Sequence, residues 1–171
     1  MNSIATGNVS AGLSVEGKGP HVISGNKITG NGFGINVAGG SFQFMHNMVA
    51  GNDVYGFEFF DDLDLPHATN LLTLNDIVGN GVGLSINRTS AGVKVNKNNL
   101  YGNGTDGSNC AIIVSQNSAD ARNNYWGAPT GPGKDPADQV GQEPFCDGTV
   151  PGNDAGMPVT TPFSKDPFVI N

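Results

Sequence analysis

Asn75-Asp76-Ile77-Val78-Gly79-Asn80, followed shortly by Gly83-Leu84-Ser85-Ile86, spells the unit from which most of this chain is built. The first phrase is Asn, any residue, an aliphatic, any residue, Gly-Asn. It recurs as Asn26-Lys27-Ile28-Thr29-Gly30-Asn31, Asn47-Met48-Val49-Ala50-Gly51-Asn52 and Asn98-Asn99-Leu100-Tyr101-Gly102-Asn103. A looser copy, Asn2-Ser3-Ile4 with Gly7-Asn8, opens the chain. The second phrase recurs as Gly12-Leu13-Ser14-Val15, Gly34-Ile35-Asn36-Val37 and Gly56-Phe57-Glu58-Phe59. Successive starts lie 24, 21, 28 and 23 residues apart (2 to 26, 26 to 47, 47 to 75, 75 to 98). A period in the low twenties, with apolar residues alternating two by two, predicts a solenoid of short strands.

Aligned on the Asn, the copies reveal a third apolar column at Ile23, Phe44, Leu72 and Val95. Each coil then holds three strands, with Ile4, Ile28, Val49, Ile77 and Leu100 forming another inward column. Alternate side chains of a strand point to opposite faces, so the intervening residues face outward. Gly and Asn suit the bends because both tolerate left-handed backbone. Stacked Asn side chains can hydrogen-bond from coil to coil. Leucine-rich repeats would need far more Leu, and a propeller blade would be nearly twice as long. The expected fold is all-β: a single-chain parallel β-helix of five to six coils, about 25 Å long at the usual strand spacing.

These repeats resemble those of right-handed parallel β-helix proteins, the pectin-lyase-like superfamily. Asn123-Asn124-Tyr125-Trp126-Gly127, followed by Gly131-Pro132, resembles the closing segment of many bacterial β-helix proteins. The resemblance implies right-handedness, a carbohydrate-leaning role and an extracellular, cell-surface or periplasmic location. It implies no particular reaction, since members include lyases, hydrolases, epimerases and proteins without one.

The 171 residues carry 15 acids against 8 bases, which argues against a nucleic-acid partner. No apolar run reaches the length of a membrane span. The repeat begins at Asn2 with no polar cover for its apolar end, which solenoids require. The expectation is that preceding coils, or another protein, cover that end.

At the other end Ala121, Asn124 and Trp126 fall in the columns of Val95, Asn98 and Leu100. Trp126 then plugs the core, with its ring nitrogen reaching a backbone carbonyl; a sugar-stacking platform is the alternative. Coils are expected over residues 1–126 and a Gly/Pro-rich cap, ordered by residues such as Phe163 and Phe168, over 127–171. Cys110 and Cys146 are compatible with one disulfide or with two unrelated thiols.

Candidate sites follow from the outward positions. Asp61, Asp62 and Asp64, in a loop bulging from the longest repeat, suit Ca²⁺, which takes several oxygen ligands. A solvated acidic loop facing Arg88 is the alternative. Tyr55-Gly56-Phe57 and the separate Asp64-Leu65-Pro66-His67 resemble a divided alginate-epimerase signature, which implies His67 as a base. Lys27, Met48, Asp76, Asn99 and Tyr125 form one outward row, with Tyr101 in the next and Lys94 and Arg122 on the adjoining strand. Asp76, Lys94, Asn99, Tyr101, Arg122 and Tyr125 together suit a polysaccharide through stacking and hydrogen bonds, or simply form a polar flank. No catalytic residue emerges. A lyase would need a base and a cation at the developing enolate, and no such set converges here. The sequence therefore favours a non-catalytic β-helix module of a secreted or surface protein with weak carbohydrate contacts. The alternative is a polysaccharide lyase or epimerase with an acidic, calcium-assisted site.

Overall fold

A computed structural model describes residues 2–60, 69–87, 92–105, 108–115, 119–142, 146 and 158–170. Three parallel sheets wrap one core, each strand pairing with its counterpart in the next coil. The first sheet contains β1 (Ile4–Thr6), β4 (Lys27–Thr29), β7 (Met48–Ala50), β10 (Asp76–Val78) and β13 (Asn99–Tyr101). The second contains β2 (Ala11–Glu16), β5 (Phe33–Ala38), β8 (Tyr55–Phe60), β11 (Val82–Ile86), β14 (Cys110–Val114) and β15 (Gln139–Gln142). The third contains β3 (His21–Ser24), β6 (Phe42–Met45), β9 (Leu71–Thr73) and β12 (Lys94–Asn96). The solenoid completes about four turns, slightly fewer than the five to six expected, because the third sheet holds only four strands.

The inward columns are as the alternation requires. Ile28, Val49, Ile77 and Leu100 stand in register, at most 2% exposed. Phe44, Phe57 and Phe59 fill the centre, with Phe44 edge-on to Phe57 at a centroid separation of 5.2 Å. The first coil departs from the expected register. Ala5, not Ile4, pairs with Ile28, leaving Ile4 outside and 73% exposed. Gly7-Asn8 anchors that coil against Gly30-Asn31, so Ser3 stands where later coils carry the first Asn. The Asn2-Ser3-Ile4 spelling imitates the repeat one residue out of phase.

Two asparagine ladders run along the axis. One joins Asn26, Asn47, Asn75, Asn98 and Asn124 through amide–amide bonds of 2.9–3.1 Å. The other joins Asn8, Asn31, Asn52, Asn80 and Asn103 at 2.8–3.0 Å. The bonding is directional. Each interior Oδ1 accepts the backbone N–H and the Nδ2 of the preceding Asn, as Asn80 does from Asn52. Each interior Nδ2 donates onward to the next Oδ1 and back to a strand carbonyl one coil earlier, as Asn80 does to Asn103 and Val49. Buried amides without partners are costly, and the side-chain amides of the interior rungs have theirs matched, as at Asn52 and Asn80.

The second ladder also explains a glycine column that bend conformation does not. Gly34 and Gly56 lie within strands. A Cβ on Gly56 would stand 2.6 Å from the Gly83 carbonyl oxygen and 2.9 Å from Asn80 Nδ2. The Gly of the Gly-aliphatic-x-aliphatic phrase is thus the space into which the ladder packs.

Cys110 and Cys146 form a disulfide on the outer side of the second sheet, packed with Ile113, Tyr55 and Val82. It bridges 36 residues of sequence, and loop-closure entropy for that span stabilises the fold by about 3–4 kcal/mol. A Cys110→Ala/Cys146→Ala double variant should lose that amount in urea denaturation, and reductant should then leave its melting curve unmoved.

Candidate functional site

Pairing of β4, β7, β10 and β13 sets Lys27, Met48, Asp76 and Asn99 in one outward row, and Asn99 bridges Tyr125. Thr29, Ala50, Val78 and Tyr101 form the row beside it. The structure therefore gathers Asp76, Asn99, Tyr101 and Tyr125. Tyr101 and Tyr125 meet edge to face at 6.1 Å. Burial first, then charge repulsion from Asp76 and from the Tyr125 hydroxyl, push the Tyr101 hydroxyl above its usual pKa. Lys94 and Arg122 stand apart from this group. Lys94 pairs with Asp120 through a backbone β-bridge, and Arg122 grips Asp120 through Nε and Nη2, both at 2.8 Å. The guanidinium holds the Asp120 carboxyl down at about 2.

The chain's own C-terminal segment occupies this face. Val159 pairs with Ala119 and Ala121, and Pro162 and Ser164 bond to Asn123 and Asn124. The segment then crosses the first sheet. Phe168 N donates to Asn99 Oδ1 at 2.8 Å, and Asn99 Nδ2 donates to the Phe168 carbonyl at 2.9 Å. The same Nδ2 bonds Asp76 at 2.7 Å, so Asn99 is only 4% exposed. Tyr125 donates its hydroxyl to the Gly127 carbonyl at 2.8 Å. Beside this C-terminal segment a cavity of about 390 Å³ opens, bounded by Lys27, His46, Met48, Asp76 and Ile170.

Asp61, Asp62, Asp64, His67 and Arg88 lie outside the described residues. Of the divided epimerase-like signature, Gly56 and Phe57 are buried, and Phe57 belongs to the core. Among the described residues, no cluster of three or more His, Cys, Asp or Glu is placed to hold a metal.

A scan against family models matches residues 1–125 to the right handed beta helix region. The chain belongs to that family. No curated protein and no solved structure gives a significant match. Membership of the right-handed β-helix family accounts for the repeat and leaves the chemistry of the outer face to the residues themselves.

The termination of this β-helix holds a residue the sequence reading missed. Asp138 is 1% exposed and ends the second ladder, accepting Gly102 N at 2.7 Å, Asn103 N at 2.9 Å and Asn103 Nδ2 at 2.8 Å. Asp suits the last rung because its two oxygens take all three donors and it carries no amide NH₂ that would need an acceptor in a next coil. Burial pushes its carboxyl up to about 6, against the pull of those three donors toward the charged form. No repeat phrase surrounds it, so spacing offered no signal. The linkage sign follows from a folded value above the unfolded 3.8. The protonated rung stabilises fully below about pH 4, and that contribution disappears as pH rises through about 6. A two-unit shift corresponds to about 3 kcal/mol. Asp120, whose value is lowered, acts oppositely and only as pH falls toward 2. Stability should therefore decline between pH 4 and 7, and Asp138→Asn should flatten that decline. Denaturation midpoints across this range, for both proteins, check it.

Proposed function

We propose that this chain is a non-catalytic β-helix module of a secreted or cell-surface protein, a rigid rod that makes weak glycan contacts. One observation carries the reading: the polar residues that would serve as a sugar platform are engaged by partners within the chain itself. Asn99 grips Phe168, Tyr125 bonds Gly127, and Arg122 neutralises Asp120. Export is supported by the Cys110–Cys146 disulfide, since such bonds persist chiefly in oxidising compartments. Weak binding of acidic glycans falls to the open part of the row, where Lys27 and His46 supply cationic or polar contacts beside Met48.

The test is an absorbance assay for unsaturated uronate products near 235 nm over pectate, alginate and related polymers, with and without Ca²⁺. No turnover is expected. Turnover abolished by Arg122→Ala or Lys94→Ala would overturn the module reading and establish a lyase.

A further inference from the structure

The contact between Asn99 and Phe168 has the form of main-chain recognition. A single side-chain amide takes both backbone groups of one residue: Oδ1 accepts the Phe168 N–H at 2.8 Å, and Nδ2 donates to the Phe168 carbonyl at 2.9 Å. Asp76 fixes the sense of that amide, because its carboxylate only accepts and holds the donating Nδ2 at 2.7 Å. Such a clamp reads a backbone, whatever side chain that backbone carries.

The side chains are received separately. Phe168 and Ile170 are half-buried while Val169 between them is 84% exposed, the alternation of an extended chain lying on a surface. Phe168 borders a cavity of about 270 Å³ with Lys97, Asn123, Phe163 and Ser164. Ile170 borders the cavity of about 390 Å³ that reaches Lys27, His46 and Met48. Neither side chain fills the space beside it. A backbone clamp flanked by two cavities, two residues apart, is what an extended peptide needs: main-chain bonds give affinity, and pockets for alternate side chains give specificity.

The hold of the segment on this face is light. Its last backbone–backbone bond to the solenoid is Ser164 N to the Asn124 carbonyl. Among the described residues, the hydrogen bonds that tie 165–170 to the solenoid are the two at Asn99. Lys165, Asp166 and Pro167 are exposed. A stretch with so few buried contacts opens far more readily than the ladders do.

We infer that the first sheet carries a peptide-docking site centred on Asn99, in which residues 165–170 are a resident and displaceable occupant. The partner is an extended segment of another protein, with an aromatic residue at the Phe168 position and an apolar side chain larger than Ile170 two residues on. A second copy of this chain would offer the same Ile170 and leave the same space unfilled. The resident segment competes as a tethered ligand, at an effective concentration on the order of millimolar. The inference does not depend on the glycan contacts proposed above.

The test uses the full chain carrying Phe168→Pro, which removes both the N–H and the ring that the site receives. The probe is a fluorescein-labelled peptide copying residues 164–170, amidated at its C-terminus and followed by fluorescence anisotropy. It should bind the Phe168→Pro chain at least about tenfold more tightly than the parent, whose tethered segment competes. An Ile170→Phe change in the peptide should tighten binding further. Methylation of the peptide nitrogen at Phe168, or Asn99→Ala added to the Phe168→Pro chain, should abolish it. Failure of the peptide to bind the Phe168→Pro chain, or binding that survives the methylation, would overturn the inference. An oligogalacturonate that gains affinity from Phe168→Pro where the peptide gains none would overturn it in favour of a glycan. Sedimentation of the parent as a dimer that Asn99→Ala dissociates would overturn it in favour of a second copy's closing segment.

Discussion

Asn80→Ala should unfold at markedly lower denaturant, losing about 3–5 kcal/mol, because one truncation strips several buried partners at once. Asn52 N–H and Asn52 Nδ2 both lose their acceptor, and Asn52 N–H is left without another. The Val49 carbonyl and Asn103 Oδ1 lose a donor, although Asn103 Oδ1 keeps the backbone N–H of residue 80. A void at the missing amide adds to the loss, since both neighbouring rungs are fully buried. Asn2→Ala, at an exposed position outside both ladders, should stay within about 0.5 kcal/mol of the parent. Urea denaturation of the three proteins makes the comparison. Similar midpoints for Asn80→Ala and the parent would mean the ladder contributes little.

Trp126→Ala is the second large effect, expected at about 3–5 kcal/mol. The ring is fully buried in the continuous core, and the segment carrying it is bonded on both sides: Tyr125 O accepts from Leu100 N, and Trp126 O from Asp138 N. Its indole nitrogen differs from expectation. Nε1 is buried and has no hydrogen-bond partner among the described residues, rather than reaching a carbonyl. Packing therefore outweighs an unsatisfied donor, whose cost is itself about 1–3 kcal/mol. Trp126→Phe, which removes the orphaned N–H and keeps an aromatic ring, should accordingly cost much less than Trp126→Ala. An unchanged melting curve for the alanine variant would reject the plug.

The fold could be read from sequence because a solenoid repeats the same physical solution. Ile28, Val49, Ile77 and Leu100 recur at one phase, and Asn31, Asn52, Asn80 and Asn103 at another, since each coil must satisfy the same bend. Errors arose where that redundancy fails. In the first coil Asn2 and Ile4 reproduce the spelling, but Gly7-Asn8 sets the register, and Ala5 takes the inward place. Trp126 was placed by its column, while the fate of its nitrogen depended on backbone outside any repeat. The alternation places Lys27, Met48, Asp76 and Asn99 in one outward row, as the strand register has it, yet nothing in the repeat signals what covers that row. Asn99 and Phe168 are 69 residues apart, and nothing in a Pro-rich closing segment specifies which outward amide it will meet. Asp138 was hidden for a similar reason: the last rung of the ladder lies 35 residues after Asn103 and carries a different side chain. Non-local, unrepeated contacts decide the outer face, and those contacts decide what it can bind.

The central claim is that the asparagines of this chain, on the ladders and on the outward row, are structural. Hydrogen exchange of their side-chain amides, followed by NMR on the full chain at neutral pH, tests it most directly. The Nδ2 hydrogens of Asn52, Asn75, Asn80 and Asn98 should exchange orders of magnitude more slowly than free amides, as buried, doubly engaged groups do. The Phe168 backbone amide and Asn99 Nδ2 should be protected with them. Slow ladders beside a freely exchanging Asn99 and Phe168 would contradict the account, because the outward row would then be open to a ligand.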